Sequence, residues 1–140
     1  MKNERAIDRS IDKTAEDYLE AMLMLKEQKG YIRSIDVASL LGVTKPSVTY
    51  TTKRLKERGL ITMNEGSFIS FTDTGMAIAK QTLHRHKMLT QFFINLGVDE
   101  ETAKNDACRV EHDLSEQTFD ALCRHVEKYS SSKGLQGETK

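Results

Sequence analysis

The chain has 140 residues, of which 38% are apolar and 30% charged, and its formal net charge is zero. This size and composition predict one globular core with room for a small second lobe. We see no apolar run long enough to cross a bilayer and no signal peptide, so we expect a cytoplasmic protein. Cys108 and Cys123 do not form a CxxC pair and are expected to be reduced thiols.

The charges are unevenly distributed along the chain. Residues 30–62 carry six basic and two acidic side chains, whereas residues 99–140 carry ten acidic and six basic ones. The basic segment predicts contact with a polyanion, and the acidic segment predicts contact with a cation or a partner protein.

Hydrophobic periodicity predicts three helices in the first part of the chain, at about 14–29, 35–41 and 45–58, with Ser34 and Thr44 as N-caps of the second and third. Two short apolar segments around an Asn-Glu-Gly-Ser turn then predict a β-hairpin. Two short helices joined by a glycine-containing turn and followed by a hairpin are typical of a winged helix-turn-helix.

Three further helices are predicted, at about 72–96, 99–114 and 115–129. The fold class is therefore mainly α with a small β wing. We expect a winged helix-turn-helix domain (1–73), a helical domain (74–130) and a flexible tail (131–140).

The third helix is the predicted DNA-reading element. Val48, Thr52 and Leu55 are expected to pack inward, and the outward side chains carry hydroxyl groups and positive charges that suit phosphates and base edges. A basic helix face alone is usually only solvated, but here the whole ordered pattern of helices, turn and hairpin favours double-stranded DNA as a partner. The expected DNA-binding residues are Ser34, Lys45, Pro46, Ser47, Tyr50, Thr51, Lys53 and Arg54.

Three residues on one predicted helical turn, Cys108, Glu111 and His112, place a sulfur, a carboxylate and an imidazole side by side. These groups together suit a divalent transition metal rather than calcium or magnesium. Asp17 and Glu20 share a face of the first helix at i, i+3.

His86 lies on the inward stripe of the long helix, where a single histidine is more often a core residue than a ligand. His84 and His125 are expected to be solvated, and Cys123 to pack with apolar neighbours. None of these residues predicts a site alone.

Taken in order, several segments carry a family resemblance. Glu16-Asp17-Tyr18-Leu19-Glu20, the winged helix, Arg85-His86-Lys87-Met88-Leu89 and Asn105-Asp106-Ala107-Cys108-Arg109-Val110-Glu111-His112 resemble the metal-dependent repressor family of the diphtheria toxin repressor and the manganese transport regulator. The resemblance covers residues 14–129.

This resemblance implies a metal site between the first, fourth and fifth helices. It implies a first site made of Asp17, Cys108, Glu111 and His112, and a second in which Glu20 and His86 share Glu111. It also implies a palindromic operator and a homodimer built on the C-terminal helices. Residues 74–130 would then form a metal-binding and dimerisation domain. The apolar residues available for the dimer surface, some of which must instead belong to the core of the chain, are Val98, Ala103, Ala107, Val110, Phe119 and Val126.

The chain departs from both branches of that family. Iron-type members have a methionine where Asp17 stands and a cysteine at position 108, whereas manganese-type members have an acid at both positions. Thr90 and Lys104 replace ligands of the iron-type ancillary site. The chain also leaves no room for the extra C-terminal domain of the long iron-type members, so we expect the short architecture.

Thiolate and imidazole ligands favour Zn²⁺, Co²⁺ and Fe²⁺, and the carboxylates retain affinity for Mn²⁺. We therefore expect Fe²⁺ or Mn²⁺ as the effector, with a lean to Fe²⁺, and Zn²⁺ or Co²⁺ as substitutes in vitro.

Two alternatives remain. One is a winged-helix regulator that responds to an organic ligand or to an oxidant acting at Cys108. The other is a metallohydrolase, which a Cys-Glu-His metal site could support. The chain has no HExxH motif, Gly-rich phosphate loop or nucleophile elbow, so we expect it not to be an enzyme.

Overall fold

The computed structural model describes the backbone of residues 12–138 and side chains as far as Tyr129. The chain divides into two compact units, one ending at Leu83 and the other beginning at His84. This division lies inside a long helix, whereas the predicted domain boundary lies between residues 73 and 74. None of the helices within residues 12–138 is both long and apolar enough to span a bilayer.

The first unit contains the expected winged helix-turn-helix. Its elements, in chain order, are α1 (Lys13–Lys29), β1 (Ile32–Arg33), α2 (Ser34–Leu41), α3 (Lys45–Glu57), β2 (Ile61–Met63) and β3 (Phe68–Phe71), followed by the first part of α4 (Asp73–Asn95).

Local side-chain chemistry sets the helix starts. The Asp12 carboxylate accepts a hydrogen bond from the Ala15 N–H at 2.9 Å and caps α1. Thr44 caps α3 as predicted, because its hydroxyl oxygen accepts from the Ser47 N–H at 3.2 Å. The prediction for α2 was wrong by one residue: Arg33 occupies the N-cap position without a side-chain cap, and Ser34 is the first helical residue.

The wing is a three-stranded antiparallel sheet in the order β1-β3-β2. Ile32 pairs with Ile69, and Met63 pairs with Ile69 from the other side. Strand β1 was not predicted because two residues carry no detectable alternation. Asn64 closes the turn between β2 and β3, since its side-chain oxygen accepts from the N–H groups of Gly66 and Phe68 at 3.0 and 3.1 Å.

The hairpin is fixed to the start of α4 by a close backbone approach. The Thr72 hydroxyl donates to the Gly59 carbonyl at 2.7 Å and accepts from the Gly75 N–H at 3.1 Å. A Cβ atom at Gly75 would lie 1.8 Å from the Leu60 carbonyl oxygen, so only glycine fits there. The wing is therefore held in a fixed position relative to α3 and the first turns of α4.

The second unit contains the rest of α4, then α5 (Glu100–Val110) and α6 (Glu116–Glu138). Helix α5 ends four residues before the predicted end at Leu114, and α6 continues beyond Tyr129, where we expected a polar tail. Some of the six apolar residues considered for the dimer surface were expected to lie in the core of the chain, and four of them are buried there: Ala103, Ala107, Phe119 and Val126. Val98 and Val110 are half-buried.

Candidate DNA-binding helix and metal centre

Helix α3 has one buried face and one exposed face. Val48, Thr52 and Leu55 are buried as predicted. Thr52 satisfies its hydroxyl by donating to the Val48 carbonyl at 2.7 Å. Of the residues expected to contact DNA, Ser34 and Thr51 are half-buried, and the exposed ones are Lys45, Pro46, Ser47, Tyr50, Lys53 and Arg54.

Two surface hollows flank the exposed face of α3. One, of about 280 Å³, lies towards the wing and is lined by Arg33, Ser34, Ile35, Lys45, Val48, Thr49, Gly66 and Ser67. The other, of about 290 Å³, lies towards the start of α1 and is lined by Asp12, Thr14, Ala15, Tyr50, Thr51, Arg54, Leu55 and Arg58. A helix with a basic hollow on each side has the shape and charge to lie between two phosphate backbones.

Sequence reasoning missed Arg33 as a candidate DNA contact. This residue lies on β1, and its guanidinium carbon is 5.4 Å from the centre of the Phe68 ring on the paired strand. The available signal was a basic residue directly before the first helix of a helix-turn-helix.

Glu111 lies at the centre of the predicted metal centre. Although α5 ends at Val110, Glu111 keeps helical dihedral angles (φ −57°, ψ −28°) and its N–H donates to the Ala107 carbonyl. The Glu111 carboxylate is therefore still one helical turn after Cys108. The Cys108 Sγ lies within 4.8 Å of a carboxylate oxygen of Glu111.

Each oxygen of the Glu111 carboxylate has a histidine ring nearby. His86 Nδ1 lies 3.5 Å from Oε2, and His112 Nε2 lies 3.5 Å from Oε1. The Glu111 side chain is fully buried, and within residues 12–138 neither of its oxygens accepts a hydrogen bond.

A buried carboxylate without hydrogen bonds is unfavourable unless a cation compensates its charge. The thiol of Cys108 and the two imidazoles each lie near this carboxylate, and such donors fit a divalent transition metal.

The other two predicted ligands belong to the first unit. Asp17 is half-buried and Glu20 is buried on α1, three residues apart. Buried carboxylates are rare in proteins unless they are paired or bind a metal. The structure thus brings together Cys108, Glu111 and the two histidines, and the association of Asp17 and Glu20 with them stays a prediction.

The remaining histidines and cysteine do not join this group. Cys123 Sγ lies 4.0 Å from His84 Nε2, and the His84 ring packs edge-on against Phe119. His84, although exposed, is therefore not simply solvated. Burial raises the pKa of the Cys123 thiol, and the nearby carboxylates of Asp120 and Glu127 raise it further.

Two protein families match the chain in sequence. Residues 11–66 match the iron-dependent repressor N-terminal DNA-binding domain, and residues 72–133 match the iron-dependent repressor metal-binding and dimerisation domain.

Individual relatives agree with these matches. The transcriptional regulator MntR of Escherichia coli O6:H1 is 35% identical over 83% of this chain and 75% of its own length. The HTH-type transcriptional regulator MntR of Bacillus velezensis is 34% identical over 89% of this chain and 88% of its own.

Solved structures share the fold. The manganese regulator SloR has a TM-score of 0.72 at 23% identity over 83% of this chain. The metal-dependent transcriptional regulator MtsR has a TM-score of 0.70 at 26% identity over 84% of it. The chain spans about half the length of each of these two, 54% in both cases.

The alternatives of an enzyme and of a regulator for an organic or redox signal are not favoured by these relationships. Both domains of the chain match the family models, and its relatives are named as transcriptional regulators. The chain therefore belongs to the iron-dependent repressor family of metal-dependent transcriptional repressors.

Proposed function

We propose that the protein is a homodimeric repressor that binds Fe²⁺ or Mn²⁺ and then a palindromic operator of metal-homeostasis genes in the cytoplasm. The observation that carries the metal part of this proposal is the Glu111 carboxylate, which is fully buried and has a histidine nitrogen 3.5 Å from each of its oxygens. A protein retains such a group at a cost in stability, and binding of a cation supplies the compensating interaction.

The proposed ligands form two neighbouring sites. Asp17, Cys108, Glu111 and His112 would hold one ion. Glu20 and His86, sharing Glu111, would hold a second. In each proposed site, one ligand would come from the first unit and the others from the second. Metal binding would therefore favour one arrangement of α3 relative to the dimerisation domain and, in a dimer, the spacing that two operator half-sites require. A coupling of about 1.4 kcal/mol suffices for a tenfold gain in DNA affinity.

Cys108 bears on the choice of metal. A thiolate binds Fe²⁺, Co²⁺ and Zn²⁺ better than Mn²⁺, because affinity for sulfur rises along this series of ions. A related structure titled as the manganese-activated repressor ScaR argues for manganese instead. We propose that Fe²⁺ binds more tightly than Mn²⁺, and that Zn²⁺ and Co²⁺ bind in vitro. A related structure titled as ScaR with bound Zn²⁺ is consistent with such substitution.

On DNA, α3 would enter the major groove. Tyr50, Thr51 and Arg54 are the proposed base-contacting residues, and Ser34, Lys45, Pro46, Ser47 and Lys53 would position the helix on the backbone. To this set we add Arg33, because it lines the hollow on the wing side of α3.

The first test is anaerobic calorimetry of the metal-stripped protein with Fe²⁺, Mn²⁺ and Zn²⁺, combined with selection of an operator from a random DNA pool. We expect one or two ions per chain and DNA binding that requires metal. Glu111→Gln, which keeps the shape of the side chain but removes its charge, should abolish both. Glu101→Gln is the matched control, since Glu101 lies exposed on the first turn of α5.

Saturable metal binding that is lost in Glu111→Gln and kept in Glu101→Gln would establish the site. Operator binding that persists in metal-free, peroxide-treated protein would instead support an oxidant acting at Cys108. Absence of specific binding for all three ions would reject the metal proposal.

A further inference from the structure

Arg85 precedes His86 on α4 and reaches across to the end of α5. Its Nη1 donates to the carbonyl oxygens of Glu111 and Leu114, both at 2.9 Å. Its guanidinium carbon also lies 5.0 Å from the centre of the Phe119 ring on α6. One half-buried side chain on α4 therefore contacts both the segment that follows α5 and the first turn of α6.

The Glu111 carbonyl lies at the C-terminal end of α5, where backbone oxygens lack partners within the helix, and the Leu114 carbonyl lies three residues further along the chain, before α6. A cation at this end is also favoured by the helix dipole. The bonds restrain the first and last residues of the segment Glu111–Leu114. His112 lies inside this segment, so its position depends on the same restraint.

Consecutive residues of α4 thus act on the two ends of Glu111. Arg85 binds its backbone oxygen, and His86 faces its carboxylate at 3.5 Å. A rotation of the Glu111 backbone would turn the carboxylate away from His86 and move His112 with it. The phenylalanine ring beneath the guanidinium limits the directions in which Arg85 itself can move.

We propose that Arg85 is a positioning residue of the metal centre, which sets the orientation of Glu111 and His112 before any metal binds. The inference rests on the proposed function, because it assumes that these two side chains are ligands. It assigns to Arg85 no contact with the ion.

The charge of Arg85 makes the inference testable. If only electrostatics matters, removing the positively charged side chain of Arg85 from beside a metal site should strengthen metal binding. Loss of a residue that orients ligands typically weakens metal binding roughly 10- to 100-fold. The sign of the change in affinity therefore separates positioning from the effect of charge.

The experiment is calorimetry with Mn²⁺ on the full chain carrying Arg85→Ala, Arg85→Lys or, as control, Arg109→Ala. Arg109 is an exposed arginine next to Cys108, so its removal changes the net charge equally. We expect weaker binding of roughly 10- to 100-fold for Arg85→Ala, partial recovery for Arg85→Lys and no loss for Arg109→Ala. The absorption spectrum of bound Co²⁺ should change only in the Arg85 variants.

A metal-free measurement accompanies the titration. In nuclear magnetic resonance spectra of the metal-stripped protein, the amide signals of Glu111–Leu114 should shift in Arg85→Ala and stay in place in Arg109→Ala. Unchanged signals, or Mn²⁺ binding in Arg85→Ala as tight as in the wild type, would overturn the inference and leave the proposed function intact. A wild-type protein that binds no metal would overturn the proposed function and this inference with it.

Discussion

Arg54 donates a hydrogen bond from Nη1 to the Tyr50 hydroxyl at 3.1 Å, across one turn of the exposed face of α3. The guanidinium carbon also lies 5.6 Å from the centre of the tyrosine ring. A long side chain held in this way loses less conformational entropy when it binds DNA than a freely rotating one. If Arg54 contacts DNA as proposed, Tyr50 holds its guanidinium ready for a phosphate or a guanine.

The first prediction concerns this pair. Arg54→Ala should weaken operator binding by about 1–3 kcal/mol if Arg54 reads a base, or lower the salt dependence by about one charge if it binds a phosphate. Tyr50→Phe should give a smaller loss in the same direction, because it removes the hydroxyl and keeps the ring. Fluorescence anisotropy with the selected operator at several salt concentrations measures both effects.

Lys80→Ala is the control for this experiment. Lys80 is exposed on α4 in the same unit as α3 and lines neither hollow. An equal loss of affinity in Lys80→Ala would mean that only the net charge matters, and the specific role of Arg54 would be wrong.

Cys108 carries the second prediction. Cys108→Asp replaces a soft thiolate by a hard carboxylate, so Zn²⁺ and Fe²⁺ should bind less tightly while Mn²⁺ binds as well as before or better. The measurement is anaerobic competition calorimetry with pairs of metals, and the ratio of Fe²⁺ to Mn²⁺ affinity is the quantity to compare.

Cys123→Ser serves as the matched cysteine variant, since Cys123 contacts His84 and not Glu111. The ratio should remain at its wild-type value there. If Cys108→Asp also leaves the ratio unchanged, the thiol does not bind metal and the lean to Fe²⁺ loses its basis.

The winged helix could be predicted because its signals are local. Thr44 and the glycines that end α1 and α2 mark helix limits through their own backbone chemistry, and Gly30 and Gly42 have positive φ values. The inward positions of α3 follow from helical periodicity. The one-residue error in the predicted start of α2, at Ser34, changed none of these conclusions.

Contacts between distant segments were not predictable in the same way. Nothing in the sequence around Gly75 indicates that it lies against the Leu60 carbonyl, because that contact depends on the path of the chain from the hairpin into α4. Likewise, hydrophobic periodicity places Ala103 and Ala107 on an apolar face of α5, but it cannot show whether that face packs within the chain or against a second subunit. Arg85 belongs to one of the segments that carry the family resemblance, but the sequence predicted no role for it.

Gly75 carries the third prediction. Gly75→Ala should lower the free energy of unfolding by about 1–3 kcal/mol or more, because the added methyl group meets rigid backbone rather than a flexible side chain. Urea denaturation followed by circular dichroism measures the change. Thr74→Ala, at an exposed neighbouring position, should alter stability little, and equal stability of Gly75→Ala and the wild type would contradict the observed packing.

The fourth prediction concerns Cys123. Burial first, and the carboxylates of Asp120 and Glu127 second, raise the pKa of its thiol above the ordinary value of 9.0. In a Cys108→Ser background, the reaction with iodoacetamide at pH 7 should therefore be slower than that of a free cysteine, since only the thiolate reacts. Asp120→Asn should speed it.

This prediction bears on the redox alternative. An oxidant sensor built on Cys108 would need a reactive resolving thiol, and Cys123 is the other cysteine of the chain. A reaction at pH 7 as fast as that of a free thiol would contradict the raised pKa and reopen that alternative.

The fifth prediction concerns acid stability and the start of α5. The Thr102 N–H donates to Asp99 Oδ2 at 3.1 Å and its hydroxyl donates to Oδ1 at 2.8 Å, and these bonds, in that order of importance, hold the pKa of the Asp99 carboxyl below its usual 3.8. A carboxyl whose pKa is lower in the folded state stabilises the fold above the unfolded-state pKa. That contribution is lost as the pH falls through the folded-state value.

Asp99→Asn keeps a capping oxygen but cannot titrate. We therefore expect the wild type to be more stable than Asp99→Asn at pH 6, and the difference to shrink as the pH falls below about 4, where the unfolded-state carboxyl begins to bind a proton. Urea denaturation of both proteins from pH 6 to pH 3 measures this difference. A wild-type advantage for Asp99 that stays constant over the whole range would mean that the carboxylate's charge plays no part in capping α5.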